Sequence, residues 1–161
     1  MPRVAKKSQK KNEIKESKKY TNMLEAYGAF WRRGFTEWAG TSSRSEYWWS
    51  YLMTWLIAAL LAVLIIISTL SYSSLETEIV FSPMSAILSF GLILFLLASL
   101  IPSISMTARR LHDAGLSAWW LLLLLLNLIC EPLSIIISIV FFIFAVLPTK
   151  VEGNPYHKFN K

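Results

Sequence analysis

From Trp48 to Leu147, one hundred consecutive residues, the chain carries only two basic residues (Arg109, Arg110) and four acidic ones (Glu76, Glu78, Asp113, Glu131). A soluble domain keeps about a quarter of its residues charged and spreads them over its surface. Here charged residues are 16% of the chain and hydrophobic ones 55%, and the two are segregated. That excludes a water-soluble globule and a disordered chain. In hydrocarbon every backbone N–H and C=O must find its partner within the protein, and helices do so within one segment. The expected fold class is therefore all-α: a polytopic membrane helical bundle.

The apolar stretch divides into spans. Trp48–Leu70 predicts the first, because 23 residues reach roughly 35 Å as a helix, enough for a ~30 Å hydrocarbon core with tilt. Trp48, Trp49, Tyr51 and Trp55 form an aromatic belt at its entry. Ser43, three residues before Glu46, has capping-box spacing and is expected to open this helix. A polar loop, Ser71–Pro83, holds Glu76 and Glu78 and no Lys or Arg. The second span is expected at Met84–Met106, with Pro102 near its end.

After a polar loop around Arg109–Ser117, the stretch Trp119–Leu147 is interrupted only by Asn127 and Glu131-Pro132. As one helix it would put Glu131 near the bilayer midplane, where an acid costs about 2.5–3.5 kcal/mol. Broken there, 119–130 and 133–147 form a short hairpin. The basic tail 148–161, with Lys150, Lys158 and Lys161, favours the cytoplasm and so the broken pair. Glu131 is in either case the one intramembrane ionisable candidate.

Charge sets the orientation. All of the net charge of +6 falls in residues 1–46, with seven Lys, four Arg and five Glu; the rest of the chain is neutral. A basic flank beside apolar spans marks a cytoplasmic end that attracts anionic headgroups rather than a nucleic-acid reader. Residues 1–19 are a Lys-rich tail too polar to order itself. No signal-peptide pattern is present in them. From Tyr20 to Trp38, Tyr20, Met23, Leu24, Tyr27, Phe30, Trp31, Phe35 and Trp38 recur at three- and four-residue steps. Such a helix lies in the membrane interface or packs on the protein's own loops, and glycine predicts a bend or break near Gly34.

Two motifs stand at the cytoplasmic edge. Trp38-Ala39-Gly40-Thr41-Ser42-Ser43-Arg44-Ser45-Glu46-Tyr47-Trp48 resembles the F-x-G-R-x-x-R-x-E-Y-W opening of a bacterial inner-membrane family, the YhaH-like proteins catalogued as domain of unknown function 805. Arg109-Arg110-Leu111-His112-Asp113 through Ser117 to Trp119-Trp120 is similar to its R-R-L-H-D-x-x-x-S-x-W-W signature, and Gly153-Asn154-Pro155-Tyr156 to its closing G-x-N-R-Y-G. Thr41 stands where the family usually has Arg, Leu116 where it often has a polar residue, and Pro155 and His157 depart from the closing motif. The resemblance implies a small cytoplasmic-membrane protein and supplies no reaction.

Arg44, Glu46, Arg109, Arg110, His112 and Asp113 are the candidate site residues. Were the second span to continue through them as a helix, Arg110 would reach Asp113 at i+3, and a network of Arg44–Asp113 and Glu46–Arg110 could join the two spans. The same arginines could instead hold an anionic headgroup, since guanidinium forks match phosphate oxygens. Catalysis is not expected. His112 and Asp113 are helical neighbours pointing ~100° apart, and neither Ser45 nor Ser117 has a supporting elbow. The lone Cys130, His112, His157 and Glu131 show no metal-ligand spacing, and no cofactor is implied. The expected role is structural or interaction-based, with lipids and a second copy or another membrane protein as partners. The alternative is anionic-lipid binding or small-solute passage through an oligomer.

Overall fold

In a computed structural model the residues described are 17–73, 82–124 and 131–159. All their regular structure is helical: α1 (Met23–Thr36), α2 (Arg44–Ser73), α3 (Pro83–Asp113) and α4 (Glu131–Val146), with 3-10 turns at Ala118–Leu122 and Pro155–Phe159. Arg44–Tyr72 and Pro83–Asp113 are long and apolar enough to cross a membrane, and Pro132–Val146 is a shorter apolar helix. This is the all-α membrane architecture expected. Glu76, Glu78, Asn127, Cys130, the side chain of Glu131 and residues 1–16 of the Lys-rich tail lie outside the described residues. So does the junction, 125–130, on which the choice between one helix and two rests.

Both spans overrun their apolar limits at the same end. α2 starts at Arg44 instead of Trp48, and α3 continues past Met106 to Asp113. These extensions carry the polar motifs. Ser43 Oγ accepts the Glu46 N–H at 3.3 Å, so half of the expected capping box is present. The Glu46 carboxylate does not complete it, being engaged by two arginines. At the opposite end Ser82 Oγ caps α3 by accepting the Ser85 N–H at 2.9 Å, and Pro83 occupies a first-turn position that needs no donor. Ser68 and Ser82 hydroxyls, 2.7 Å apart, join α2 and α3 there. α3 closes with Leu116 N–H on Leu111 O and Gly115 N–H on His112 O, a turn that places Gly115 at φ +77°, where a side chain would be strained.

α1 is not interrupted at Gly34. It runs on to Thr36 because Gly34 is the contact point with α3: a Cβ there would lie 2.5 Å from Pro102 Cβ. The missing side chain lets the two backbones close, and this outweighs glycine's helix penalty of ~1 kcal/mol. Ala26, Ala29 and Phe30 are buried on the same side. The core sits where the ends of the helices meet: Phe30, Tyr47, Met106 and Ala145, one residue from each of the four, with Tyr27, Trp31 and Tyr51 packed around them. Beyond that base, large apolar side chains along α2 and α3 such as Leu56, Leu60, Ile67, Ile93 and Leu97 are exposed. So large an apolar surface suits lipid and not water.

Candidate functional site

The base of the bundle holds a lattice of buried charges. Glu46, in the first turn of α2, has no exposed side-chain surface. Its Oε2 accepts from Arg33 Nη1 at 2.6 Å and its Oε1 from Arg109 Nη1 at 3.1 Å. Arg33 also donates to Glu37 Oε2 at 2.7 Å, one helical turn on, and to the Thr41 carbonyl at 3.0 Å. Burial works against the Arg33 charge, but Glu46 and then Glu37 outweigh it, and the guanidinium is held above its ordinary pKa. One carboxylate thus fastens α1, α2 and α3 together.

A second cluster faces α4. Arg110 donates to Asp113 on its own helix, to the Ala145 carbonyl at 3.1 Å and to the Leu147 carbonyl. These carbonyls stand in the last turn of α4 and just past it, where unpaired C=O groups and the helix dipole favour a cation. Asp113 Oδ2 also accepts from Thr149 Oγ1 at 2.7 Å, and the Asp113 carbonyl accepts the Lys150 N–H at 2.9 Å. The tail then folds over His112. Asn154 Nδ2 donates to the His112 carbonyl at 2.7 Å, and the Tyr156 ring stacks on the imidazole at a centroid distance of 3.9 Å. On its other side His112 Nδ1 donates to the Gly40 carbonyl at 3.3 Å.

Of the residues singled out in the sequence, Glu46, Arg109, Arg110, His112 and Asp113 come together in the base, and the i, i+3 pair Arg110–Asp113 is present. The cross-helix pairs differ from those expected. Glu46 takes Arg109 and Arg33 instead of Arg110, and Arg44 is exposed instead of bound to Asp113. The cause is helical azimuth: adjacent residues diverge by ~100°, so Arg109 turns to α1 and α2 while Arg110 turns to α4. Sequence reasoning missed Arg33, Glu37 and the tail residues Thr149, Asn154 and Tyr156. The i, i+4 pairing of Arg33 with Glu37 was a usable signal, as was the closing motif.

The arrangement balances itself. Arg33, Arg109 and Arg110 face Glu37, Glu46 and Asp113, so the paired groups sum to no charge. His112 and Asp113 engage different partners and do not form a pair. Among the described residues no three His, Cys, Asp or Glu side chains gather as metal ligands. Arg109 Nε and Nη2 and Asp113 Oδ1 are buried with no hydrogen-bond partner among the described residues.

The model of one family, described as Protein of unknown function (DUF805), matches residues 35–158. The chain belongs to that family. The match takes in every lattice residue except Arg33, which enters from α1 ahead of it. Thr41, inside the matched span, presents its carbonyl to Arg33. No curated protein and no solved structure matches the chain.

Proposed function

We propose that this chain is a multi-pass protein of a bacterial cytoplasmic membrane, amino terminus inside, with a structural or interaction role and no enzymatic activity. The observation that carries the reading is Glu46, fully buried between Arg33 and Arg109. Its charge is spent on joining three helices. Arg110 is likewise spent on the end of α4, and His112 on the tail. A catalytic group must reach a substrate, and these side chains are turned inward on one another. The exposed apolar sides of α2 and α3 are the surfaces available to lipid, to a second copy or to another membrane protein.

Anionic-headgroup binding is the second reading. It is favoured by the exposed Arg44, whose guanidinium can take two oxygens of one phosphate. The one-for-one balance of arginines and acids ranks it behind. Small-solute passage through an oligomer would rest on Glu131 alone. The readings separate in a single preparation, purified from native membrane with its lipid retained. Under the structural reading Glu46→Gln lowers thermal stability and leaves the copurifying anionic lipid unchanged. Loss of that lipid in Arg44→Ala, with stability falling only after delipidation, would replace it with the headgroup reading.

A further inference from the structure

α1 has three faces, and only one is fully buried in the fold. Ala26, Phe30 and Gly34, at four-residue steps, point into the protein. Glu25, Arg32 and Thr36, at steps of seven and four, form an exposed polar stripe. Between them runs an apolar stripe, Leu24, Trp31 and Phe35, with Trp38 just past the helix end. Leu24 is 64% exposed, Phe35 51% and Trp38 46%. At ~100° per residue the polar and apolar stripes lie side by side along the helix, divided by a line parallel to its axis. A helix packed only on protein has no use for that division, and one in water would not expose the apolar side.

The apolar stripe is continuous with the outer surface of a span. Trp31 stacks on Phe35 at a centroid distance of 6.2 Å and meets Phe95, well inside α3, at 6.4 Å. Through the half-buried pair Trp31–Phe95 the apolar stripe of α1 therefore joins the apolar surface of α3. At the other end of α1, Lys18 and Lys19 continue the Lys-rich segment that precedes them, which suits anionic headgroups. We infer that α1 lies in the water–hydrocarbon boundary of one leaflet, with Leu24, Trp31, Phe35 and Trp38 among acyl chains and Glu25, Arg32 and Thr36 in water. The occupant of the exposed stripe is lipid. Docked at once on both spans and in the leaflet, α1 sets the depth of the bundle: the Glu46 lattice comes to lie at the boundary, sheltered from water by the helix in front of it. This rests on the membrane reading above and adds a lipid-binding surface apart from the spans.

The test uses the full chain, with Cys130→Ser, reconstituted in vesicles of mixed neutral and anionic lipid. Single cysteines replace Leu24, Phe35, Arg32, Thr36 and, as a mid-span reference, Leu60; each carries a spin label. Collision with oxygen, which concentrates in hydrocarbon, is compared with collision with a water-soluble nickel chelate. The expected result is oxygen dominance at Leu24→Cys, Phe35→Cys and Leu60→Cys and chelate dominance at Arg32→Cys and Thr36→Cys. Chelate dominance at Leu24→Cys and Phe35→Cys, with Leu60→Cys still in lipid, would overturn the placement of α1 and leave the membrane reading intact. Leu24→Cys and Phe35→Cys sheltered from both reagents would show protein on the stripe, and would also overturn it. Chelate dominance at Leu60→Cys would remove the membrane reading itself.

Discussion

Glu46 and Arg109, 63 residues apart in the chain, meet at 3.1 Å with neither side chain exposed. Burying two charges is costly, and a good pair roughly repays that cost rather than exceeding it. What the contact secures is register. Glu46 is near the start of α2 and Arg109 near the end of α3, so sliding α3 by one turn would leave Arg109 buried without its acid and Glu46 with Arg33 only.

The packing of α1 on α3 makes a prediction of sign. In an exposed helix interior, Gly→Ala is worth up to ~1 kcal/mol in stability. Gly28 has open space where its Cβ would stand, so Gly28→Ala should stabilise by roughly 0.5–1 kcal/mol. Gly34 has Pro102 Cβ at 2.5 Å and Pro102 Cα at 2.6 Å from the added atom, so Gly34→Ala should instead destabilise by about 1–3 kcal/mol. Denaturation of the two variants in mixed micelles compares them directly. Equal gains would mean that α1 does not rest on Pro102.

Arg110 and Asp113 should lose unequally. Arg110 serves Asp113 and two carbonyls at the end of α4, whereas Asp113 leaves those two carbonyl bonds in place when it is removed. Arg110→Ala should therefore cost about 3–5 kcal/mol, as expected for breaking a buried pair, and Asp113→Ala less. Arg110→Lys should recover only part of the loss, since an ammonium cannot reproduce the planar fork. Unfolding of the three variants in the same lipid gives the order, and a greater loss in Asp113→Ala would reverse the roles.

Orientation is tested by labelling intact cells. With Cys130→Ser as background, an impermeant thiol reagent should modify Ser74→Cys, in the loop with no Lys or Arg, and spare Ser8→Cys in the basic flank. The opposite pattern would invert the topology.

The spans were legible because hydrocarbon tolerates few sequences, and Trp48–Leu70 and Met84–Met106 read as such without any partner. Part of the site was legible too: Glu46, Arg109, Arg110, His112 and Asp113 stand at the ends of spans where charge is rare, whereas Arg44 is exposed and Arg33 and Glu37 were missed. The pairing was not. Whether Arg109 or Arg110 faces Glu46 depends on which side of α3 the neighbouring helices lie, and no periodicity within α3 contains that. Arg33 stayed hidden for the same reason. It stands next to Arg32, which is exposed, about 100° round α1, and only docking tells which of the two turns inward. The break expected near Gly34 does not interrupt α1, because glycine's helix penalty is local while its benefit comes from a contact with Pro102 in another helix.

The most direct test of the buried lattice is a double-mutant cycle on Glu46→Gln and Arg109→Gln, with unfolding free energies measured in defined lipid. Exposed ion pairs couple by ~0.2–1 kcal/mol. The sheltered contact between Glu46 and Arg109 should couple by more than this, so that the double variant is clearly more stable than the sum of the two single losses predicts. Strictly additive losses, or a coupling within the range of exposed pairs, would contradict a structural lattice at the base of the bundle.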